Sequence, residues 1–290
     1  MAKKSTIYDE IYNLQEKYCQ LSIKNESLLK MIDDTEVTEQ VYNSNAIENS
    51  TLSLGETDKI LVQIDLDRYI TEREIFETKN LARVVTYIRE KALGQNLNID
   101  MILLLHQMLL SNIYDEVAGR FRQNDEWVRF ANHIAVAPEK VQEKMEDLLI
   151  QYNSSLRDNI IKRIALFHLT FEHIHPFVDG NGRIGRVLNN YLLIRDGFVP
   201  INIKFIDRKI YYEAFKEFDE GGKTKIMEEI VGKAIANSFH KRIAYLERKD
   251  ILSLADYAKK ENLSYPNLLN KAKRQSIPAF LEKGKWKIGY

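Results

Sequence analysis

The stretch His175-Pro176-Phe177-Val178-Asp179-Gly180-Asn181-Gly182-Arg183-Ile184-Gly185-Arg186 gathers an imidazole, a carboxylate, a glycine-rich turn and two guanidinium groups into twelve residues. That set suits phosphate chemistry. Imidazole titrates near neutral pH and takes a proton from a hydroxyl. A carboxylate offers hard oxygens to Mg²⁺, and a Gly-Asn-Gly turn leaves main-chain N–H groups open to an anion. Arg183 and Arg186, three residues apart, share one face of a first helical turn. The helix dipole is already positive there, so each cation costs roughly 0.3 to 1 kcal/mol and something negative should offset the pair. Taken singly, each piece has a plainer explanation: a histidine before proline caps a helix C-terminus, Asp-Gly-Asn-Gly makes a tight turn, and arginines cover a solvated face. The combination is what points to a phosphate.

Two helices must position this loop. Ile161, Ile164, Ala165, His168, Phe171 and Ile174 recur at helical spacing, and Pro176, which lacks a backbone donor, closes that helix with His175 at its end. Ile184, Val187, Leu188, Tyr191 and Leu192 open a second helix, so Gly180-Asn181-Gly182 falls at its N-terminus. Phe177 should then be the buried anchor of the turn.

These residues resemble the Fic (Fic/Doc) family, whose signature H-P-F-x-[D/E]-G-N-G-R-x-x-R is met at all nine specified positions. The resemblance implies transfer of AMP from ATP to a Ser, Thr or Tyr hydroxyl of a target protein or of the chain itself. His175 is then the general base. Asp179 would hold Mg²⁺, the amides of Gly180, Asn181 and Gly182 would cradle phosphates, Arg183 would neutralise charge along the triphosphate, and Arg186 would clamp its end.

Upstream, Ser44-Asn45-Ala46-Ile47-Glu48-Asn49 matches the family's inhibitory motif [S/T]-x-x-x-E-[G/N]. The resemblance implies that Glu48 lies beside Arg186, where the γ-phosphate of ATP would go, so that nucleotide binds unproductively. Ser44 and Glu48 are spaced i, i+4 and point the same way on a helix, while Asn49 tolerates the left-handed conformation of a helix end.

Ala118-Gly119-Arg120-Phe121-Arg122, Trp127-Val128-Arg129-Phe130-Ala131 and His133-Ile134-Ala135-Val136 read as a short hairpin interrupting helices. The family carries a flap here, which places Val128, Arg129, Phe130 and Ala131 near nucleotide and gives the target a strand edge to pair with. Tyr211 and Tyr212 match aromatic positions lining the nucleotide pocket in relatives. Asp219 stands where many relatives have Asn.

The remaining chain fits this frame. Residues 1–70 read as an N-terminal helical region with the inhibitory helix, 71–248 as the catalytic domain, and 249–290 as a winged helix-turn-helix-like module. The fold class is all-α, a Fic-type helical domain with a small β-hairpin flap plus that module. Helical periodicity covers Tyr8 to Met31, Val37 to Glu48, Glu56 to Tyr69, Glu74 to Ala92, Asp100 to Leu110, Val141 to Tyr152, Ile160 to His175, Arg208 to Glu217 and Ile226 to Leu246.

Near the C-terminus, Leu252 to Ala258 reads as one helix, a second is capped by Ser264, and Ile277 to Ile288 forms a two-stranded wing. This resembles an excisionase-like winged helix-turn-helix. Residues 251–290 hold eight Lys/Arg against three Asp/Glu, so DNA joins dimer and target contacts as a candidate partner of this module.

In the whole chain 42 basic and 42 acidic residues cancel, so composition implies neither nucleic acid nor an acidic membrane surface. A single cysteine, Cys19, excludes an intrachain disulfide and suits a reducing compartment, the cytoplasm by default. There is no signal-peptide pattern and no apolar run of about 18 residues, so no membrane span is expected. His173 and His175, two apart, face different sides of a helix, and no cysteine pair or third clustered histidine follows, which argues against zinc. Two readings stand beside AMP transfer: removal of AMP with Glu48 orienting a water, and a DNA-binding regulator whose Fic domain senses nucleotide.

Overall fold

The computed structural model describes residues 7–66, 68–130, 133–155 and 158–290, with only the main chain of Phe130. These residues form two compact units. Twelve α-helices and five short strands occur among them, and no helix is long and apolar enough to cross a membrane.

The unit that carries the signature comprises Val37–Phe198 and Ile203–Ile230. Its centre is α7 (Ile160–Ile174) packed on α8 (Asn181–Arg195). Around this pair lie α4 (Glu72–Lys91), α5 (Ile99–Leu110), α6 (Val141–Ser154) and α9 (Arg208–Gly221). Ile161, Ile164, Phe167, Leu169, Phe171 and Ile174 are all buried, which makes α7 apolar nearly all round, the pattern of a core helix. Asn159 starts it, its Oδ1 accepting from the Lys162 N–H at 2.9 Å. α3 (Leu54–Leu61) is opened by a reciprocal capping box between Ser53 and Glu56.

The second unit comprises Met1–Glu36, Val199–Asn202 and Val231–Tyr290. It contains α1 (Ile7–Ser22), β3 (Ile251–Ser253), α11 (Leu254–Lys260), α12 (Tyr265–Lys273), β4 (Ala279–Glu282) and β5 (Lys285–Gly289). The strands form an antiparallel sheet in the order β3-β5-β4. Leu254, Ala258, Leu268, Ala272, Ala279 and Ile288 make its core. Arg242, 1% exposed, meets Asp33 and Glu36 at 2.6 Å each, so its buried charge is paired.

Several helix boundaries differ from the periodicity. The apolar pattern from Tyr8 to Met31 is split, because Lys24 adopts φ 66° and Asn25 turns its amide onto the Leu21 carbonyl at 2.9 Å. α2 instead runs unbroken over Glu26–Ile47, since the polar stretch that masked its continuity places Asp33 and Glu36 on Arg242. α3 ends at Leu61, with Gln63 left-handed at φ 60°, rather than continuing to Tyr69. Leu252 and Ser253 belong to a strand, and the following helix starts only at Leu254 because the Ser253 hydroxyl accepts from the Asp256 N–H. Among the described residues of the signature-bearing unit, strand pairing is limited to β1 (Arg129–Phe130) and β2 (His133–Ile134). Ala118 to Arg122 lies outside it.

Candidate active site

The loop between α7 and α8 is held from several sides. His175 ends α7 in the left-handed region, φ 51°, a conformation that costs a non-glycine residue about 1 to 2 kcal/mol. Arg122, only 2% exposed, stabilises that turn: its Nε donates to the His175 carbonyl at 2.8 Å and its Nη2 reaches the carbonyls of Ile174 and Val136. The guanidinium thus satisfies helix-end acceptors that have no intrahelical partner. Asn181 clamps the loop internally, accepting from the Phe177 N–H at 2.9 Å and donating to the Phe177 carbonyl at 2.8 Å. Phe177 is fully buried and stacks on His106 with ring centroids 3.7 Å apart. Because the Gly119 N–H donates to His106 Nδ1, Nε2 must carry the proton, and it donates to the Asp179 carbonyl at 3.0 Å.

A cavity of about 340 Å³ opens above this loop. His175, Asp179, Gly180, Asn181, Gly182 and Arg183 line it, with Glu48, Tyr211 and Tyr212. His175 Nδ1 lies 3.2 Å from the Glu172 carbonyl, which can only accept, so the proton sits on Nδ1 and the lone pair on Nε2. Burial pushes the His175 pKa down to about 4, opposed by that carbonyl bond and aided by Arg122. The ring is therefore neutral near pH 7 and able to accept a proton.

Gly180 precedes α8 at φ 82°, and no side chain caps the helix. The Arg183 Nε, buried, has no hydrogen-bond partner among the described residues. An uncapped helix N-terminus with an unsatisfied guanidinium donor fits an anion. Arg183 itself is offset by Glu77 at 3.1 Å and by Asp179 at 3.3 Å, and Arg73 reaches the other Asp179 oxygen at 2.8 Å. Burial alone would raise the Asp179 pKa, but Arg183, the Gly180 amide and Arg73 outweigh it and hold the carboxyl below its usual range. The group is an anionic oxygen donor whose present partners are cations, which fits a Mg²⁺ ligand.

Arg186 is neutralised separately. Its Nη2 meets Glu48 Oε1 at 2.9 Å and the Ser44 carbonyl at 2.8 Å. Its Nε donates to Ser44 Oγ at 3.0 Å and its Nη1 to the Tyr211 hydroxyl at 3.2 Å. Burial would lower the Arg186 pKa; Tyr211 and Glu48 more than compensate and raise it. Glu48 follows the last residue of α2, and Asn49 turns the chain away at φ 69°. The carboxylate lies close against α8, and a Cβ at Gly182 would collide with Glu48 Oε1 and force that side chain to move. One anion thus already occupies the start of α8, and it offsets Arg186 rather than both arginines.

Glu172 is a component the motif does not contain. It is 1% exposed, its Oε1 has no hydrogen-bond partner, and its Oε2 lies 3.7 Å from His175 Nδ1. Burial, reinforced by Glu48 and opposed by Arg186, raises its pKa from 4.5 to about 8. The folded protein therefore keeps a proton that the unfolded chain loses above pH 4.5, so this group's contribution to stability falls as pH rises towards about 8. At 1.36 kcal/mol per unit the fall from pH 5 to 9 is about 3 to 5 kcal/mol. Glu172→Gln should flatten that slope in urea unfolding at the two pH values; parallel slopes in the two proteins would refute the buried proton.

The other expected nucleotide contacts divide. Tyr211, 2% exposed, bonds to His168 Nε2 at 2.7 Å as well as to Arg186, while Tyr212 sits under Arg208 at 5.4 Å from ring centroid to guanidinium. Val128 and Arg129 belong to the hairpin and are not among the residues that line the cavity. Ala131 lies outside the described residues, as does the Phe130 side chain. Trp127 is 57% exposed, so it does not anchor the hairpin. Asp219 bonds to His173 Nδ1 at 3.0 Å. The sequence reading missed Arg73, Glu77, Arg122 and Glu172. Glu172 left a trace, being a carboxylate four residues after His168 on the apolar face of α7.

Residues 96–193 match the model of the Fic/DOC family. Over 191 residues the chain is 31% identical to protein adenylyltransferase Fic of Nematostella vectensis, covering 63% of this chain and 43% of that protein. It therefore spans less than half the length of that curated relative. Among solved structures, Fic-1 of Caenorhabditis elegans matches with TM-score 0.71 and 28% identity over 83% of this chain and 72% of that one. A Fic-domain-containing signaling protein of Bacteroides thetaiotaomicron shares the fold, with TM-score 0.73 and 24% identity over 83% of this chain and 97% of that one. The signature is thus intact and folded around one cavity, inside the stretch 96–193 that matches the Fic/DOC family.

Proposed function

We propose that the chain is a protein adenylyltransferase that moves AMP from ATP onto a side-chain hydroxyl of a protein, and that Glu48 restrains it. One observation carries this reading: a neutral imidazole and an uncapped helix N-terminus face the same cavity, and the carboxylate of Glu48 lies in it on Arg186. The target oxygen would attack the α-phosphorus, forming an O–P bond as the bond to the bridging oxygen breaks and pyrophosphate leaves. The hydroxyl proton would pass to His175 Nε2. The Gly180 to Gly182 amides and Arg183 would bind phosphate oxygens and hold the α-phosphate in line. A Mg²⁺ ion held by Asp179 would supply neutralising charge to the phosphates.

Glu48 and a terminal phosphate compete for Arg186 in this scheme, and the relatives named for adenylyl transfer support its direction. We also read β1–β2 as the flap whose edge receives target backbone, and residues 251–289 as a winged helix-turn-helix from their strand–helix–helix–strand–strand order.

The test uses two isotopic forms of ATP with the Glu48→Gly protein and a cell lysate, against the lysate alone. Over that control, label on the α-phosphate should enter protein and label on the γ-phosphate should leave as pyrophosphate. Added protein label from the γ-phosphate, or none from the α-phosphate, would exclude AMP transfer.

A further inference from the structure

Beside the catalytic loop, but outside the cavity lining, three metal-binding side chains meet. One ring nitrogen each of His133 and His173 and a carboxylate oxygen of Asp219 all lie within 4.8 Å of one another. They come from the hairpin strand β2, the last turn of α7 and the last turn of α9. We propose that His133, His173 and Asp219 bind a divalent transition-metal ion of the zinc type, which ties the hairpin to the ends of α7 and α9.

The donor set favours this class of ion. Two imidazoles and one carboxylate are the borderline ligands that Zn²⁺ takes in sites with an open fourth position, whereas Mg²⁺ and Ca²⁺ prefer oxygen alone. Ligand bonds of about 2.0 to 2.2 Å at tetrahedral angles put donor atoms roughly 3.3 Å apart. His173 Nδ1 and Asp219 Oδ1 are already 3.0 Å apart, and the two imidazole rings stack with centroids 3.8 Å apart. Small side-chain rotations therefore bring the third donor in.

The His133 ring is also oriented from behind. Its Nε2 lies 3.1 Å from the His173 carbonyl, an acceptor only, so that nitrogen carries the proton and the lone pair remains on Nδ1. Backbone carbonyls fix ligand imidazoles in this way in metal centres. Phe218 closes one side, edge-on to His173 with centroids 6.0 Å apart, while all three ligands keep partial solvent access. An ion can therefore enter. The His173–Asp219 hydrogen bond explains two of these residues, but the third sits forty residues upstream of His173 and is brought here by the hairpin.

Isothermal titration of the full chain with Zn²⁺, in excess Mg²⁺ to fill hard oxygen sites, tests the proposal. One saturable Zn²⁺ per chain is expected. Asp219→Asn and His133→Ala remove one ligand each from exposed or half-buried positions, and at least one of them should weaken binding by about tenfold or more. Unchanged thermal melts would show that both variants are folded. Absence of saturable binding in the unsubstituted chain, or affinity within tenfold of it in both variants, would overturn the site.

Discussion

Glu48→Gly is expected to raise AMP incorporation from ATP by about 10- to 100-fold. A hydrogen bond between charged groups contributes about 1.5 to 3 kcal/mol, and 1.4 kcal/mol corresponds to a factor of ten in an equilibrium constant. Arg186 spends one such bond on Glu48 Oε1 at 2.9 Å. A terminal phosphate cannot take up that donor while the carboxylate holds it, nor enter easily beside a negative charge pressed against Gly182. The substitution should leave the fold intact, since Arg186 keeps Ser44 and Tyr211 as acceptors and residue 48 lies just past the end of α2. Glu48→Gln, which retains shape but not charge, should fall between the two. Equal labelling of all three proteins by α-labelled ATP, at equal melting temperature, would remove Glu48 from the regulation of this site.

Residues contiguous in the chain were the readable part of this site. The helix ending at His175, the glycine turn and α8 are local, so apolar spacing and the proline place them correctly. Ser44 and Glu48 were readable because Ser44 to Asn49 resembles the family's inhibitory motif, with the i, i+4 spacing in support. Arg122, His106 and Arg73 reach the loop from 53 to 106 residues away in sequence, and a pattern that tells which face is buried does not tell what will lie against it. Strands of two residues have no period to detect. The break at Lys24 carries no proline or glycine, and Asp33 and Glu36 look like solvent-facing polar residues until Arg242 is folded against them. Tertiary ion pairs override local signals in this chain.

Loss of His175 should have the largest effect, about 10²- to 10⁴-fold on AMP transfer measured in the Glu48→Gly background, the range of a general base. His175→Asn is the informative substitution. Alanine at φ 51° would add backbone strain, whereas asparagine tolerates the left-handed region and keeps the end of α7. ATP binding should persist, because the phosphate donors are the Gly180 to Gly182 amides and the arginines rather than the imidazole. The pH profile separates a base from a merely structural histidine. A protonated imidazole cannot accept the hydroxyl proton, so activity is present above the His175 pKa and lost as pH falls through about 4. Transfer by the Glu48→Gly protein should therefore change little between pH 8 and about 5, where an exposed histidine of ordinary pKa near 6.5 would already have cost most of it. If His175→Asn retained transfer within tenfold, or if the rate fell with a midpoint near 6.5, His175 would not be the buried neutral base that its contacts with Glu172 and Arg122 imply.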